Sequence, residues 1–232
     1  MLEADFRKQR REFLVDVQLR LPDHGCMALF GASGSGKSTI LSCIAGLEQP
    51  DSGRIVFEDV QFFPAPLPLH LRPLGYLTQE PNLFPHLTVE QNVLFGIDDR
   101  PSEAQRSWLD HLRSSLGIGP IWHASASRIS GGQARRVGLA RMLARRPPLV
   151  LLDEPFTGLD RQLVRELVDA LLAWRSEIRF SMIVVDHEAE ILERLCSCVA
   201  VIADGRIVQQ GTWAQVRASP IDEKLKALLA PL

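Results

Sequence analysis

The stretch GASGSGKST, residues Gly31–Thr39, decides how the rest of this sequence is interpreted. It fits the phosphate-loop pattern G-x-x-x-x-G-K-[ST] at every position, and it lies between an apolar run and a helical pattern. Glycines let backbone N–H groups turn toward a phosphate, and the following helix directs its positive end to the same place. The pattern predicts that Lys37 contacts the β- and γ-phosphates of a nucleotide and that Ser38 ligates Mg²⁺. The predicted phosphate-binding residues are Gly31, Ala32, Ser33, Gly34, Ser35, Gly36, Lys37, Ser38 and Thr39.

A second apolar run, LVLL at residues 149–152, ends in two adjacent carboxylates, Asp153 and Glu154. In sheets of parallel strands, ligands bind at the carboxyl ends of the strands. Two carboxylates after four apolar residues are costly unless they meet a cation or hydrogen-bond donors. We therefore predict that Asp153 holds the Mg²⁺ shell and that Glu154 accepts a proton from the attacking water.

The order of strand-like and helix-like patterns predicts the fold class. Both patterns alternate at the two ends of the chain, which favours an α/β fold with a mainly parallel sheet. Residues 13–21 alternate as a strand does, and residues 198–211 predict a hairpin that turns at Asp204 and Gly205. The proline-rich residues 64–73 predict a surface loop. We expect one domain, with a core of residues 1–80 and 147–232 and a helical insertion of residues 81–146.

The segment SGGQ, Ser130–Gln133, is a second candidate phosphate site. A serine followed three residues later by glutamine is a capping box, which by itself only starts a helix. Two glycines in a first helical turn are unexpected under that interpretation, because each lowers helix stability by ~1 kcal/mol relative to alanine. Their lack of side chains would let a ligand approach the backbone.

Composition argues against several classes of protein. The net charge is −2, whereas a nucleic-acid binder more often has a basic balance. The apolar runs are far shorter than the ~20 residues of a membrane span, and the first residues lack the apolar stretch of a signal peptide. The four cysteines follow no zinc-binding spacing, so we interpret them as free thiols of a reducing compartment. We expect a cytoplasmic chain that reaches a membrane only through partners.

Six motifs in chain order resemble those of the ATP-binding subunits of ABC transporters, and the resemblance covers essentially the whole chain. It implies a P-loop NTPase (RecA-like) core with N-terminal antiparallel strands and a helical subdomain that carries the signature motif. The matching motifs are the phosphate loop Gly31–Thr39, Gln79, ISGGQ at 129–133, LLDEP at 151–155, GLD at 158–160 and His187.

The family resemblance gives the second phosphate site a ligand. In this family two cassettes dimerise head to tail, so that each ATP lies between the phosphate loop of one chain and the signature of the other. The resemblance implies that Ser130, Gly131 and Gly132 bind the γ-phosphate of an ATP on the partner's phosphate loop. Gln133 would contact the ribose or close the turn, and Asp160 would touch the opposite chain.

The resemblance also assigns roles to two residues outside the phosphate loop. His187 would contact the γ-phosphate and help to hold Glu154 and the attacking water. Gln79 would reach Mg²⁺ and the same water, and would link the site to the helical part. A lone histidine or glutamine more often makes ordinary structural hydrogen bonds, but both residues follow strands at the positions that the family uses.

Three features depart from the family pattern. Ile129 replaces the usual leucine of the signature, and Asp186 precedes His187 where serine or threonine is more usual. The aromatic residue that stacks on adenine has no obvious counterpart, and the N-terminal strands look short. Phe13 is the nearest candidate, with a core role as the alternative; Arg10 or Arg11 could stack instead.

Six arginines and no acidic residue lie between Arg128 and Arg146. We interpret them as the solvated basic side of the signature helix rather than as a surface for nucleic acid, because the whole chain is slightly acidic.

Residues 82–96 resemble the segment of bacterial importer ATPases that receives the membrane subunit, with docking expected near Leu83, Phe84 and Pro85. The chain resembles molybdate- and thiamine-importer ATPases without a C-terminal regulatory domain. We therefore expect an ATP-hydrolysing importer motor that uses ATP and Mg²⁺. Its partners would be a second copy, permease subunits on the inner face of the membrane and, indirectly, a substrate-binding protein. The alternative is a non-transport ATPase of the same family that acts on nucleic acid or ribosomes.

Overall fold

The computed structural model describes residues 1–11, 13–65, 67–97 and 100–221, and these residues form one continuous sheet with helices on it. The order of strands across the sheet is β5-β4-β1-β2-β10-β9-β3-β8-β7-β6. The strands are β1 (Leu2–Gln9), β2 (Leu14–Leu21), β3 (Cys26–Phe30), β4 (Ser52–Phe57), β5 (Val60–Phe63), β6 (Leu74–Leu77), β7 (Leu149–Asp153), β8 (Ser181–Val185), β9 (Cys198–Ala203) and β10 (Arg206–Thr212).

The sheet has a parallel half and an antiparallel half. Strands β9, β3, β8, β7 and β6 pair parallel with one another, and β2, β1, β4 and β5 pair antiparallel with one another. Strand β10 joins the two halves, because it is parallel to β2 and antiparallel to β9. This arrangement confirms the α/β class with N-terminal antiparallel strands. The expectation of short N-terminal strands is wrong, because β1 and β2 pair over eight residues each. Alternate residues of β1 are buried, which stabilises its full length.

The parallel strands β3, β7 and β8 are buried on both faces, as their continuous apolar sequences require. On β3, Cys26, Ala28 and Phe30 face a core shared with most of the helices. Met27 and Leu29 face a second core that contains α1 and the antiparallel strands. The helices are α1 (Lys37–Ala45), α2 (Val89–Val93), α3 (Glu103–Ser115), α4 (Gly131–Leu143), α5 (Arg161–Ile178), α6 (Ala189–Leu195) and α7 (Trp213–Ala218).

Residues between 81 and 146 contribute α2, α3 and α4. Helix α4 packs on β6, and α2 and α3 pack on α4. Their treatment as a separate subdomain stays a prediction. Within the described ranges, no helix combines the length and the apolar character that crossing a membrane requires.

The hairpin of β9 and β10 turns at Asp204 and Gly205, as the sequence predicts. Both turn residues have positive φ, 47° and 77°. The Gly205 N–H donates to the carbonyl oxygen of Ser35 at 3.0 Å, and its own carbonyl accepts from the N–H of Asp16 at 2.8 Å. The turn therefore connects the phosphate loop to β2.

Candidate functional site

The phosphate loop joins β3 to α1, at the carboxyl end of the parallel strands. Gly36 is the N-cap of α1 and has a φ of 105°, a conformation that favours glycine. A Cβ atom on Gly31 would lie 2.2 Å from the carbonyl oxygen of Ile202, so only glycine fits there. The glycine spacing of the motif thus corresponds to two separate steric requirements.

Lys37 is the first residue of α1, and its ammonium group lies inside the loop. Its Nζ donates to the carbonyl oxygens of Gly31 and Ala32, at 2.8 Å each. Burial lowers the pKa of Lys37, and the negative charges of Glu154 and Asp153 oppose that shift. The ammonium group of Lys37 and the carboxylates of Asp153 and Glu154 therefore lie close together at the phosphate loop.

Asp153 ends β7 and is only 3% exposed. Burial raises the pKa of its carboxyl, while the hydrogen bond from the Ser38 hydroxyl and the charge of Lys37 lower it. Tyr76 on β6 donates from its hydroxyl to Asp153 Oδ2 at 3.4 Å. Sequence reasoning missed this contact of Tyr76, which arises because β6 and β7 are adjacent parallel strands in which Tyr76 pairs with Leu151, two residues before Asp153. A buried carboxylate beside a hydroxyl is an oxygen donor set that suits Mg²⁺.

Glu154 directly follows Asp153 and contacts Gln79, and the catalytic roles of both residues stay predictions. Gln79 Nε2 donates to Glu154 Oε2 at 3.2 Å, and Thr157 Oγ1 donates to the same oxygen at 3.3 Å. Sequence reasoning missed Thr157. Glu154 has a φ of 49°, a left-handed conformation that costs a non-glycine residue about 1–3 kcal/mol. Strained residues of this kind concentrate at functional sites.

The signature segment begins α4, with Ser130 as the N-cap. Ser130 Oγ accepts from the N–H of Gln133 at 3.3 Å, and Gln133 Oε1 accepts from the N–H of Ser130 at 2.9 Å. Gln133 therefore closes the turn, which was one of its two predicted roles. Ser130 and Gly131 are exposed, so the start of this helix faces outward.

The other predicted site residues occupy loops that follow strands or precede helices. Asp160 is the N-cap of α5, and its Oδ1 accepts from the N–H of Leu163 at 3.0 Å. His187 is exposed, and its Nδ1 lies 3.5 Å from Asp186 Oδ1. Asp186 is buried, which raises the pKa of its carboxyl, and Oδ1 also accepts from the N–H of His187 and of Glu188. The structure thus pairs His187 with the acid that departs from the family pattern.

Phe13 lies directly beside the phosphate loop. A Cβ on Gly36 would be 3.3 Å from Phe13 Cε2, and the ring also packs against the second core. Arg10 forms an ion pair with Glu48, with Nη1 2.6 Å from Oε2. Both the adenine-stacking role and the core role of Phe13 agree with this position, and the first stays a prediction.

The expectation of a solvated basic side on the signature helix is wrong for three of its arginines. Arg135, Arg136 and Arg141 are partly buried, and their guanidinium groups donate to backbone carbonyl oxygens. Helix α4 packs its apolar residues into the core. The long arginine side chains extend along this apolar surface and place their guanidinium groups on carbonyl oxygens of neighbouring segments.

The predicted docking segment is held by a buried asparagine that sequence reasoning missed. The side chain of Asn92 accepts from the N–H of Phe84 at 2.9 Å and donates to its carbonyl oxygen at 3.1 Å. The Phe84 ring lies 4.4 Å from that of Phe95, which is 55% exposed. Leu83 is partly buried and Pro85 is exposed, so the segment presents an apolar surface.

Comparison with known proteins identifies the family. A model of the family described as ABC transporter matches residues 14–157, which include the phosphate loop, the signature and the adjacent acids Asp153 and Glu154. The chain belongs to the ABC transporter family. The sequence resemblance to ABC ATP-binding subunits is thereby confirmed.

Two curated relatives carry the same description, molybdenum import ATP-binding protein ModC. The one from Methylococcus capsulatus is 40% identical over an aligned region that covers 100% of this chain and 63% of that protein. The one from Aromatoleum aromaticum is 40% identical over 213 residues, 89% of this chain and 56% of that protein. The chain thus spans about three fifths of the length of the curated relatives that it matches.

Among solved structures, a similar fold is that of the ATP-binding cassette MJ0796, described as a dimeric post-hydrolysis state bound to ADP and Pi. The TM-score is 0.79 at 23% identity, and the match covers 91% of this chain and 98% of the other. At this identity the likeness concerns the fold alone, and it confirms the cassette architecture.

Proposed function

We propose that this chain is the ATP-hydrolysing subunit of an ABC importer. The observation that carries the proposal is the clustering of a lysine, two acids and their polar partners at one phosphate loop. Lys37 interacts electrostatically with Asp153 and Glu154. The Ser38 hydroxyl contacts Asp153, and Gln79 contacts Glu154. These groups supply the charge stabilisation, metal ligands and base that phosphoryl transfer to water requires.

Each residue has a defined part in the proposed reaction. Lys37 exchanges its contacts with loop carbonyls for the β- and γ-phosphates of ATP. Ser38 and Asp153 would hold Mg²⁺, with Gln79 as a further ligand, and the ion would supply charge neutralisation when bound. Glu154 accepts the proton of the attacking water at its carboxylate, which Gln79 and Thr157 orient.

The proposal includes a second copy of the chain. Ser130 and the backbone N–H groups of Gly131 and Gly132 start a helix at an exposed position, where a partner's γ-phosphate could approach. His187 and Asp160 are both exposed. His187 could contact a γ-phosphate, and Asp160 could contact the opposite chain. The fold resembles a cassette that is described as dimeric, which agrees with this assembly.

The remaining partners are membrane subunits. Permease subunits would dock near Leu83, Phe84 and Pro85, whose apolar surface is fixed by Asn92. They would hold the chain at the inner face of the membrane and receive cargo from a substrate-binding protein. Since two relatives at 40% identity are described as molybdenum import proteins, we infer molybdenum as the element transported.

A test of the activity measures phosphate release from ATP with and without Mg²⁺. Lys37→Ala is expected to reduce the rate by ~10²–10³-fold, the range typical of removing a preorganised electrostatic group. Arg20→Ala is a matched control, since it removes an exposed cation on β2. An unchanged rate in Lys37→Ala would exclude the phosphate loop as the active site.

A test of the cargo deletes the gene in its host and compares cellular molybdenum with thiamine uptake. We expect molybdenum alone to fall and to be restored by the wild-type chain. Loss of thiamine uptake alone would assign the other cargo, and salt-sensitive RNA or DNA binding without any transport defect would favour the non-transport alternative.

A further inference from the structure

Arg135 joins the signature helix to both residues that act on the attacking water. Its Nη1 donates to the carbonyl oxygen of Glu154 at 2.5 Å, and its Nη2 donates to the carbonyl oxygen of Gln79 at 2.7 Å. The side chains of Glu154 and Gln79 already contact each other. One guanidinium therefore fixes the backbone of a pair whose side chains must keep a particular geometry.

The backbone of Glu154 needs such support more than that of its neighbours. Its φ of 49° is left-handed, and its two peptide groups are held from different parts of the molecule. The N–H donates to the carbonyl oxygen of Val185 at 2.8 Å, inside the sheet. The carbonyl accepts from Arg135 on α4, so the signature helix holds the other end of the strained residue.

The chemistry of arginine fits this task. A guanidinium is planar, always charged and offers parallel N–H donors, whereas a lysine ammonium on a flexible stem is a point charge. An arginine can therefore donate to two carbonyl oxygens on different segments at once. A lysine at this position would keep the positive charge but lack the paired N–H donors.

The neighbouring Arg136 provides an internal contrast. Its Nη1 donates to the carbonyl oxygen of Leu116, at the end of α3, at 2.8 Å. It is the adjacent residue on the same helix and binds backbone oxygen in the same manner, but it connects two helices of the 81–146 region. It serves as the matched control for a purely structural contact.

We propose that Arg135 is a positioning residue that couples the signature helix to Glu154 and Gln79 of its own chain. This inference rests on the proposed function. In a head-to-tail dimer, the signature of a chain serves the ATP of its partner, while Glu154 serves the ATP of its own phosphate loop. Arg135 therefore links the two ATP sites through a single chain, and its effect on hydrolysis acts in cis.

Mixed dimers separate a cis effect from a trans effect. Chain one has an intact Glu154, and chain two carries Glu154→Gln, so hydrolysis occurs only where Glu154 of chain one meets the signature of chain two. Arg135→Met is placed in either chain, and single-turnover hydrolysis is measured at saturating ATP. We expect about a tenfold slower rate with the change in chain one, as for a lost charged hydrogen bond, and less than about twofold with it in chain two.

The controls exclude a general folding defect. Arg136→Met should lower thermal stability but leave the rate of the folded mixed dimer within about twofold in either chain. Arg135→Lys in chain one should recover part of the rate. A larger loss with Arg135→Met in chain two would overturn the cis role, and so would equal losses in both chains or a change confined to the half-saturating ATP concentration.

A second measurement is independent of ATP hydrolysis. Amide hydrogen exchange of the nucleotide-free full chain should accelerate about tenfold at Glu154 and Thr157 in Arg135→Met, and should stay unchanged there in Arg136→Met. If the wild-type chain hydrolyses no ATP, the proposed function fails, and this experiment still decides whether Arg135 holds Glu154. Unchanged exchange at Glu154 in Arg135→Met would refute the positioning role.

Discussion

The phosphate loop and the signature segment both start a helix with small residues, but their surroundings differ. The loop has Lys37 at its centre and the acids Asp153 and Glu154 beside it, all from one chain. The signature has a serine cap followed by the exposed Gly131, and no acidic residue occurs between Arg128 and Arg146. Polar groups in proteins are generally hydrogen-bonded, either to other groups of the same chain or to a ligand.

That difference predicts different nucleotide-binding roles for the two segments. The phosphate loop lies beside the proposed base and the oxygen donors of the proposed metal site in the same chain, so it should bind nucleotide in a single chain. The signature offers only hydrogen-bond donors and a helix end, so it should act on a nucleotide that another chain carries.

Glu154→Gln should produce the largest effect. The amide keeps the shape of the side chain but no longer accepts a proton, so hydrolysis should slow by ~10²–10⁴-fold. ATP binding should be retained, and the ATP-bound dimer should accumulate, as gel filtration with labelled ATP would detect. Turnover at the wild-type rate would rule out Glu154 as the base.

The sequence predicted much of this loop because its signals are local. Glycine spacing, the apolar run of β7 and the acids that follow it all lie within short segments. The contacts of Tyr76 and Arg135 depend instead on which strands are neighbours and on how α4 crosses β6. From the sequence, the arginines of α4 are interpreted as solvent-exposed, because no local pattern predicts the distant carbonyl oxygens to which they donate.

A mixed dimer tests whether the signature acts in trans. One chain carries Ser130→Arg and the other carries Lys37→Ala, so that each homodimer has two defective sites. A head-to-tail arrangement makes two equivalent sites, and the mixed dimer should therefore occlude about one ATP per dimer. Occlusion is measured by retention of labelled ATP with Mg²⁺ after gel filtration.

The control for this experiment is the dimer that carries both changes in one chain and none in the other. It should also retain one intact loop, but paired with a defective signature, and should occlude no ATP at that site. Occlusion in this control together with none in the first mixed dimer would mean that loop and signature act within one chain.

Asp160 separates a capping role from a contact with the opposite chain. Asp160→Ala removes the acceptor for the N–H of Leu163 and should lower the free energy of unfolding by ~1 kcal/mol. Asp160→Asn caps about equally well, so its stability should match the wild type. If the carboxylate touches the partner, the asparagine variant should weaken ATP-dependent dimerisation by up to about fivefold. Equal dimerisation would leave Asp160 as a cap alone.

A last contrast compares one glycine from each segment. Gly36 has a φ of 105°, and an added Cβ would lie 3.2 Å from Val15 Cγ2, so Gly36→Ala should destabilise the chain by about 1–2 kcal/mol. Gly131 is the first residue of α4, and among the described residues an added Cβ there meets nothing within 4 Å. Gly131→Ala should therefore stabilise the single chain by up to about 1 kcal/mol, because alanine favours helix.

The same methyl group should hinder ATP-dependent dimerisation, since it would lie where a partner's phosphate approaches the backbone. Chemical denaturation measures the first quantity, and sedimentation with ATP on a Glu154→Gln background measures the second. A Gly131→Ala chain that is more stable and dimerises as well as its parent would show that no ligand approaches this helix start. A more stable chain that dimerises poorly would mean that Gly131 is kept for the partner's ATP, at the expense of the stability of its own chain.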